Sequence, residues 1–69
     1  MNDTTLQVTG MSCGGCAGRV TRTLRQLEGV HEVEVELASG TVRIRHAPAL
    51  LASALSERVT AAGYPSALA

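Results

Sequence analysis

Two alternating runs separated by Ser39-Gly40 constrain this chain more than any other stretch of it. From Val30 to Ala38, Val33, Val35 and Leu37 fall on one side and Glu32, Glu34 and Glu36 on the other. Thr41 to His46 continues the pattern, with Val42 and Ile44 on the apolar side. A period of two belongs to a half-buried strand, and Ser-Gly between two such runs signals a hairpin. If Ser39 and Gly40 alone make the turn, Leu37 pairs with Val42 and Val35 with Ile44. Glu36 then faces Arg43 and Glu34 faces Arg45, and opposite charges across a pair favour that register. Such a sheet has one wet face. The acids and arginines on it are therefore read as structural, since a paired-carboxylate catalytic site is not expected to be laced with arginine.

The remaining elements follow in both directions. Thr4 to Thr9 alternates, with Leu6 and Val8 inward, and reads as a short strand. Gly10 to Gly15 is a loop. Ala17 to Glu28 is helical, with Val20, Leu24 and Leu27 on one stripe and Gly29 as its stop. Pro48 opens a second helix, where its missing N–H costs nothing, with Leu51, Leu55, Val59 and Ala62 as the apolar stripe. Gly63 ends it, Pro65 prevents its continuation, and Ser66 to Ala69 forms at most a short last strand anchored by Leu68. The order strand, helix, strand, strand, helix, strand suits an α+β fold: one antiparallel sheet with both helices on one face.

The 69 residues suffice for one small domain, taken as residues 1–69. Its core is built from Leu, Val, Ile and Ala, because Phe and Trp are absent and Tyr64 is the only aromatic. The formal net charge is zero, which argues against a nucleic-acid or stable membrane partner. No apolar run has the length of a signal peptide or a membrane span, so the expected location is cytoplasmic. His31 and His46 sit at the start and end of the two hairpin strands and are expected on the surface, away from the Gly10–Gly15 loop.

That loop holds the chemistry. Cys13 and Cys16 are the only cysteines, they frame Gly14 and Gly15, and a helical pattern starts just after them. Thiols at a helix N-terminus ionise more readily, and the thiolate binds metal or attacks disulfides. Cys-x-x-Cys by itself is compatible with several chemistries. A structural Zn(II) site needs four ligands, and two thiols with no nearby His or Asp leave it undersupplied. A soft ion that accepts two sulfurs in near-linear coordination, Cu(I) or Hg(II), is better matched. A thiol–disulfide oxidoreductase is the rival from another class, although the chain is too short for a full thioredoxin-type domain. Met11 is either a third soft ligand or a plug in the core beneath the loop. Arg19, Arg22 and Arg25 lie off the apolar stripe, as a solvated face or as a basic docking surface beside the loop.

Gly10-Met11-Ser12-Cys13-Gly14-Gly15-Cys16 after a strand, and Gly63-Tyr64-Pro65 after the second helix, make the chain similar to the heavy-metal-associated domain family. The resemblance spans essentially the whole chain. It implies a ferredoxin-like βαββαβ fold with a four-stranded sheet, and a non-enzymatic role in Cu(I) trafficking as a small copper chaperone that delivers to P-type ATPases. It implies Cys13 and Cys16 as the metal ligands, with Met11 packed under the loop and Ser12, Gly14 and Gly15 as its support. Tyr64 matches an aromatic or basic position near the metal. Zinc, cadmium and lead members often carry Asp where Ser12 stands, which favours copper here. Gly15 replaces the His of many bacterial copper chaperones, and the Lys that some carry is missing. Gly63-Tyr64-Pro65-Ser66 is similar to the periplasmic mercury-binding proteins, which keeps Hg(II) open. The excised metal-binding domain of a copper ATPase is a further alternative. The expected mechanism is two-coordinate binding followed by entry of a partner thiolate and departure of one of the chain's own. Arg19 and Arg22 are the candidates for docking that partner. The expected state is a monomer, with a metal-bridged homodimer through the exposed thiols as the alternative.

Overall fold

The computed structural model describes residues 1–11 and 14–69. Strand β1 (Asn2–Val8) leads to helix α1 (Gly14–Arg25), strands β2 (Val30–Glu36) and β3 (Thr41–His46), helix α2 (Ala52–Ala61) and strand β4 (Ser66–Leu68). The strands form one sheet in the order β2-β3-β1-β4, every neighbouring pair antiparallel. This is the expected ferredoxin-like arrangement. Leu6, Val8, Val42 and Ile44 from the sheet are buried with Val20 and Leu24 of α1 and Leu55 and Val59 of α2. Val33 and Val35 pack against that cluster from β2. The opposite sheet face carries Glu32, Glu34, Glu36, Arg43 and Arg45, all exposed.

The hairpin register departs from the expectation by two residues. Glu36 pairs with Thr41, Val35 with Val42, Glu34 with Arg43 and Glu32 with Arg45. The connection is therefore the four residues Leu37 to Gly40. The favoured two-residue hairpin turns need positive φ at the first central position, and one of the two types needs it at both. Gly40 has φ +72, but among the described residues none other than glycine has positive φ, so Ser39, the first central position, does not supply it. A shift of two keeps every side chain on its expected face. Only Leu37 changes role: it sits in the turn and is 44% exposed, outside the core.

The helix ends also move. α1 begins at Gly14 instead of Ala17 and stops at Arg25 instead of Glu28. Glycine is a poor helix former, which hides the start. Leu27 still packs on the core from beyond the helix end, and Gly29 (φ +98) serves the turn into β2. Pro48 does not open α2. It lies in a turn closed by Leu50 N–H donating to the Ala47 carbonyl at 3.0 Å. Leu51 is the N-cap with extended backbone, and it is 66% exposed. Leu50 takes the place against the core expected of Leu51. Leu68 does not anchor β4; it is 56% exposed, at the end of a three-residue edge strand that pairs with β1 on one side only.

His46, expected on the surface, is 1% exposed. It continues the inward parity of Val42 and Ile44 along β3, and it satisfies its ring by hydrogen bonds to Thr4 and to the Ala47 carbonyl. His31 is exposed, at a bulge where the β2–β3 register shifts.

Candidate metal site

Three connections meet at one end of the sheet: the segment from β1 into α1, the β2–β3 turn, and the link from α2 to β4. The β1 exit is held from both sides. Val8 N–H donates to the Gly40 carbonyl and Thr9 N–H to the Pro65 carbonyl, each at 2.8 Å. Gly10 then takes φ +84, a left-handed conformation that glycine adopts without steric cost. Met11 turns inward and is 4% exposed, inside the core cluster. Its side chain packs as a plug in the core.

Ser12 and Cys13 lie outside the described residues. Gly14 and Gly15 follow as the exposed first residues of α1, and a Cβ built on Gly14 meets nothing within 4 Å. Cys16 is the third residue of α1, half-buried and packed against the core. Its sulfur belongs to the helix turn where the macrodipole favours an anion. One thiol is thus built into a fixed helical turn.

Tyr64 is held by the end of α2. Gly63 N–H donates to the Thr60 carbonyl at 3.0 Å and Tyr64 N–H to the Val59 carbonyl at 3.2 Å. With Gly63 at φ +104, these bonds form the paired closure that ends a helix with a left-handed residue. The Tyr64 ring, 9% exposed, joins the same buried cluster as Met11 and Val59. Met11 and Tyr64 therefore belong to the same core cluster against which Cys16 packs.

The other candidates are elsewhere. Arg19, Arg22 and Arg25 are exposed along α1, off the side that carries Val20 and Leu24. Asn2 pairs with His46, and Val30 beside His31 pairs with His46 in turn, so both histidines stand at the end of the sheet where β1 starts, roughly 20 Å of strand from its exit. Among the described residues no group of three or more His, Cys, Asp and Glu side chains could hold a metal ion. Asp3, Glu32, Glu34 and Glu36 lie on the wet sheet face, where Asp3 pairs with Arg45 at 3.3 Å, and Glu28 and Glu57 are exposed after α1 and on α2. Sequence reading passed over Gly40 and Pro65 as partners of the loop stem; their carbonyls carry no residue-type signal. Among the described residues no helix is long and apolar enough to cross a membrane.

Comparison with known proteins agrees with this arrangement. Copper-transporting ATPase 1 of Mus musculus is 39% identical over 46 residues, which is 67% of this chain and 3% of that protein. The mercuric reductase of Serratia marcescens is 35% identical over 66 residues, 96% of this chain and 14% of the reductase. The chain thus spans only a small part of each of these relatives. Among solved structures, a CopZ metallochaperone superposes with a TM-score of 0.91 at 28% identity, covering 96% of this chain and 100% of that one. The sequence family described as the heavy-metal-associated domain matches residues 5–65. With the βαββαβ fold and the Cys-x-x-Cys sequence that runs into α1, that match makes this chain a member of the heavy-metal-associated domain family.

Proposed function

We propose that residues 1–69 act as a single heavy-metal-associated domain that carries Cu(I) as a bis-thiolate of Cys13 and Cys16 and passes it on by ligand exchange. The observation that carries this reading is Cys16 in the first turn of α1, directly after the exposed Gly14 and Gly15, with both histidines of the chain at the opposite end of the sheet. Two thiolates with little else suit an ion satisfied by two soft ligands better than Zn(II), which takes four. Similarity to a copper-transporting ATPase and to a metallochaperone supports copper. Ser12, Gly14 and Gly15 put little side-chain bulk beside the two cysteines in the sequence, while the buried Met11 and Tyr64 support this end of the fold from the core.

The recipient is the metal-binding domain of a copper-transporting P-type ATPase. Arg19 and Arg22 steer its docking, and the protein works in the cytoplasm as a monomer. A thiolate of the recipient adds to the ion, a three-coordinate species forms, and one thiolate of this chain leaves. No substrate bond is made or broken, so this is transfer and not catalysis.

A second reading has its own support. Similarity to a mercuric reductase over 96% of the chain favours an Hg(II) carrier built on the same two sulfurs. Anaerobic titration of the reduced protein with Cu(I), Hg(II) and Zn(II), read by X-ray absorption, separates the readings. One Cu(I) per chain on two sulfurs is the expected result. Preference for Hg(II) in competition favours the second reading. Undiminished binding of both ions by Cys13→Ser and by Cys16→Ser sinks both readings.

A further inference from the structure

The β2–β3 turn grips the stem of the metal loop more tightly than a hairpin turn needs to. Beyond the Val8 bond to the Gly40 carbonyl, Gln7 Nε2 donates to the Ser39 carbonyl at 2.7 Å. The Ser39 and Thr41 hydroxyls are 2.7 Å apart, and Gly40 N–H donates back to the Glu36 carbonyl at 3.0 Å. Gly40 is closely fitted to the stem: a Cβ there lies 3.0 Å from the Val8 carbonyl oxygen and 3.1 Å from Gln7 Nε2. Gly10, by contrast, has nothing within 4 Å of its Cβ position, and Met11 beyond it is buried. The chain is therefore fixed through Thr9 and again at Met11, with the left-handed Gly10 between.

We infer that Gln7 and Gly40 are positioning residues for metal binding: the β2–β3 turn braces the exit of β1 and so sets where the segment carrying Cys13 begins. This inference rests on Cys13 and Cys16 being the metal pair. Gln7 and Gly40 act through Val8 and Thr9 and offer the ion no ligand. The physical reason is preorganisation. Two sulfurs must converge on one ion, and a stem already fixed in the metal-free protein removes part of the ordering cost from the binding step. Gln7 is exposed on the wet sheet face, where substitution ordinarily has little consequence, so an effect on metal binding there is diagnostic.

The test is Cu(I) affinity of the reduced protein, measured anaerobically by competition with a chromophoric chelator. Gly40→Ala and Gln7→Ala are each expected to weaken binding about tenfold, the lower end of what outer-shell support contributes at metal sites. Gln7→Lys, whose ammonium can donate to the Ser39 carbonyl, is expected to recover most of the loss. Gln7→Glu, of the same shape but with no donor, is not. Thr4→Val, at the other end of β1, is the control for general loosening and is expected to leave affinity unchanged. Affinities within twofold of wild type for Gln7→Ala and Gly40→Ala overturn the inference, and if Gly40→Ala does not fold the Gln7 series decides alone. Failure of the wild-type protein to bind Cu(I) through its thiols is a different result: it removes the metal-site reading itself, and this inference with it.

Discussion

Thr4 Oγ1 lies 2.7 Å from His46 Nε2 and joins β1 to the last residue of β3 inside the core. The other ring nitrogen, Nδ1, is 3.0 Å from the Ala47 carbonyl, which can only accept. In the neutral ring Nδ1 therefore carries the proton and Nε2 accepts from the Thr4 hydroxyl. Among the described residues no buried side-chain nitrogen or oxygen is left without a partner. Thr4→Val breaks that balance and is expected to cost about 1–3 kcal/mol by stranding a buried acceptor. Adding His46→Leu removes the stranded group, so the double variant is expected to be more stable than the two single losses sum to. Urea unfolding of the four proteins of the cycle measures the coupling; strict additivity contradicts the bond.

The hairpin register has an equally direct consequence. Leu37 sits in the four-residue turn and is 44% exposed, whereas Leu55 of α2 is fully buried. Leu55→Ala is expected to destabilise the fold by about 2–5 kcal/mol, as buried leucine truncations do. Leu37→Ala is expected to change stability by no more than about 0.5 kcal/mol, the range of an exposed position. A two-residue turn makes Leu37 a core residue, and a large loss on its truncation speaks for that register instead. Chemical denaturation of both variants decides.

These two cases mark what the amino-acid order could reveal. Parity was legible: Leu6, Val8, Val42 and Ile44 are all buried where alternation assigns them. Parity also pointed His46 inward, but a titratable side chain at a strand end looks like a surface residue until its partner is known, and Thr4 lies 42 positions away. Register was not legible, because a shift of two preserves both the faces and the Glu–Arg pairing; only the φ of Ser39 and Gly40 decides it. The start of α1 was concealed by Gly14 and Gly15, which read as loop. At the site, Cys16, Met11 and Tyr64 were marked by their residue types. The backbone bonds from Val8 and Thr9 to Gly40 and Pro65 were not, since any residue can offer a carbonyl.

Gly63 closes α2 in a left-handed conformation, with φ +104 and no atom within 4 Å of the place a Cβ would occupy. Space is therefore not the obstacle to a side chain there; the backbone is. Gly63→Ala is expected to cost about 1–2 kcal/mol, the penalty for forcing an L-residue into left-handed geometry. Because Tyr64 follows directly and donates to the Val59 carbonyl at 3.2 Å, thermal unfolding and Tyr fluorescence are expected to change together. An unchanged melting temperature refutes the assignment of Gly63 as the helix stop.

Met11 separates packing from ligation. It is 4% exposed within the core cluster. Met11→Leu conserves volume and removes the sulfur, so a packing residue tolerates it at a cost below about 1.5 kcal/mol. Cu(I) affinity is expected to stay within twofold of wild type, roughly 0.4 kcal/mol. A large fall in affinity with stability intact identifies the thioether as a ligand. Met11→Ala, in contrast, is expected to lose about 2–5 kcal/mol through the cavity it leaves.

The thiol pair itself is tested most cleanly through linkage between binding and folding. An ion that binds the folded protein, present at about a hundred times its Kd, stabilises it by about 2.7 kcal/mol. Cu(I) is therefore expected to raise the unfolding midpoint of the reduced wild-type protein. Cys16 is the half-buried third residue of α1, so Cys16→Ser keeps the helix and the shape while replacing a soft ligand by a hard one. That variant, and Cys13→Ser, are expected to fold without metal and to lose most of the Cu(I)-dependent rise. The pH dependence has a definite sign. Thiols must lose their protons to bind, so metal binding releases protons and apparent affinity rises with pH until both thiols are ionised. Retention of the full Cu(I)-dependent shift in either serine variant, or affinity that falls as pH rises, is incompatible with a bis-thiolate site.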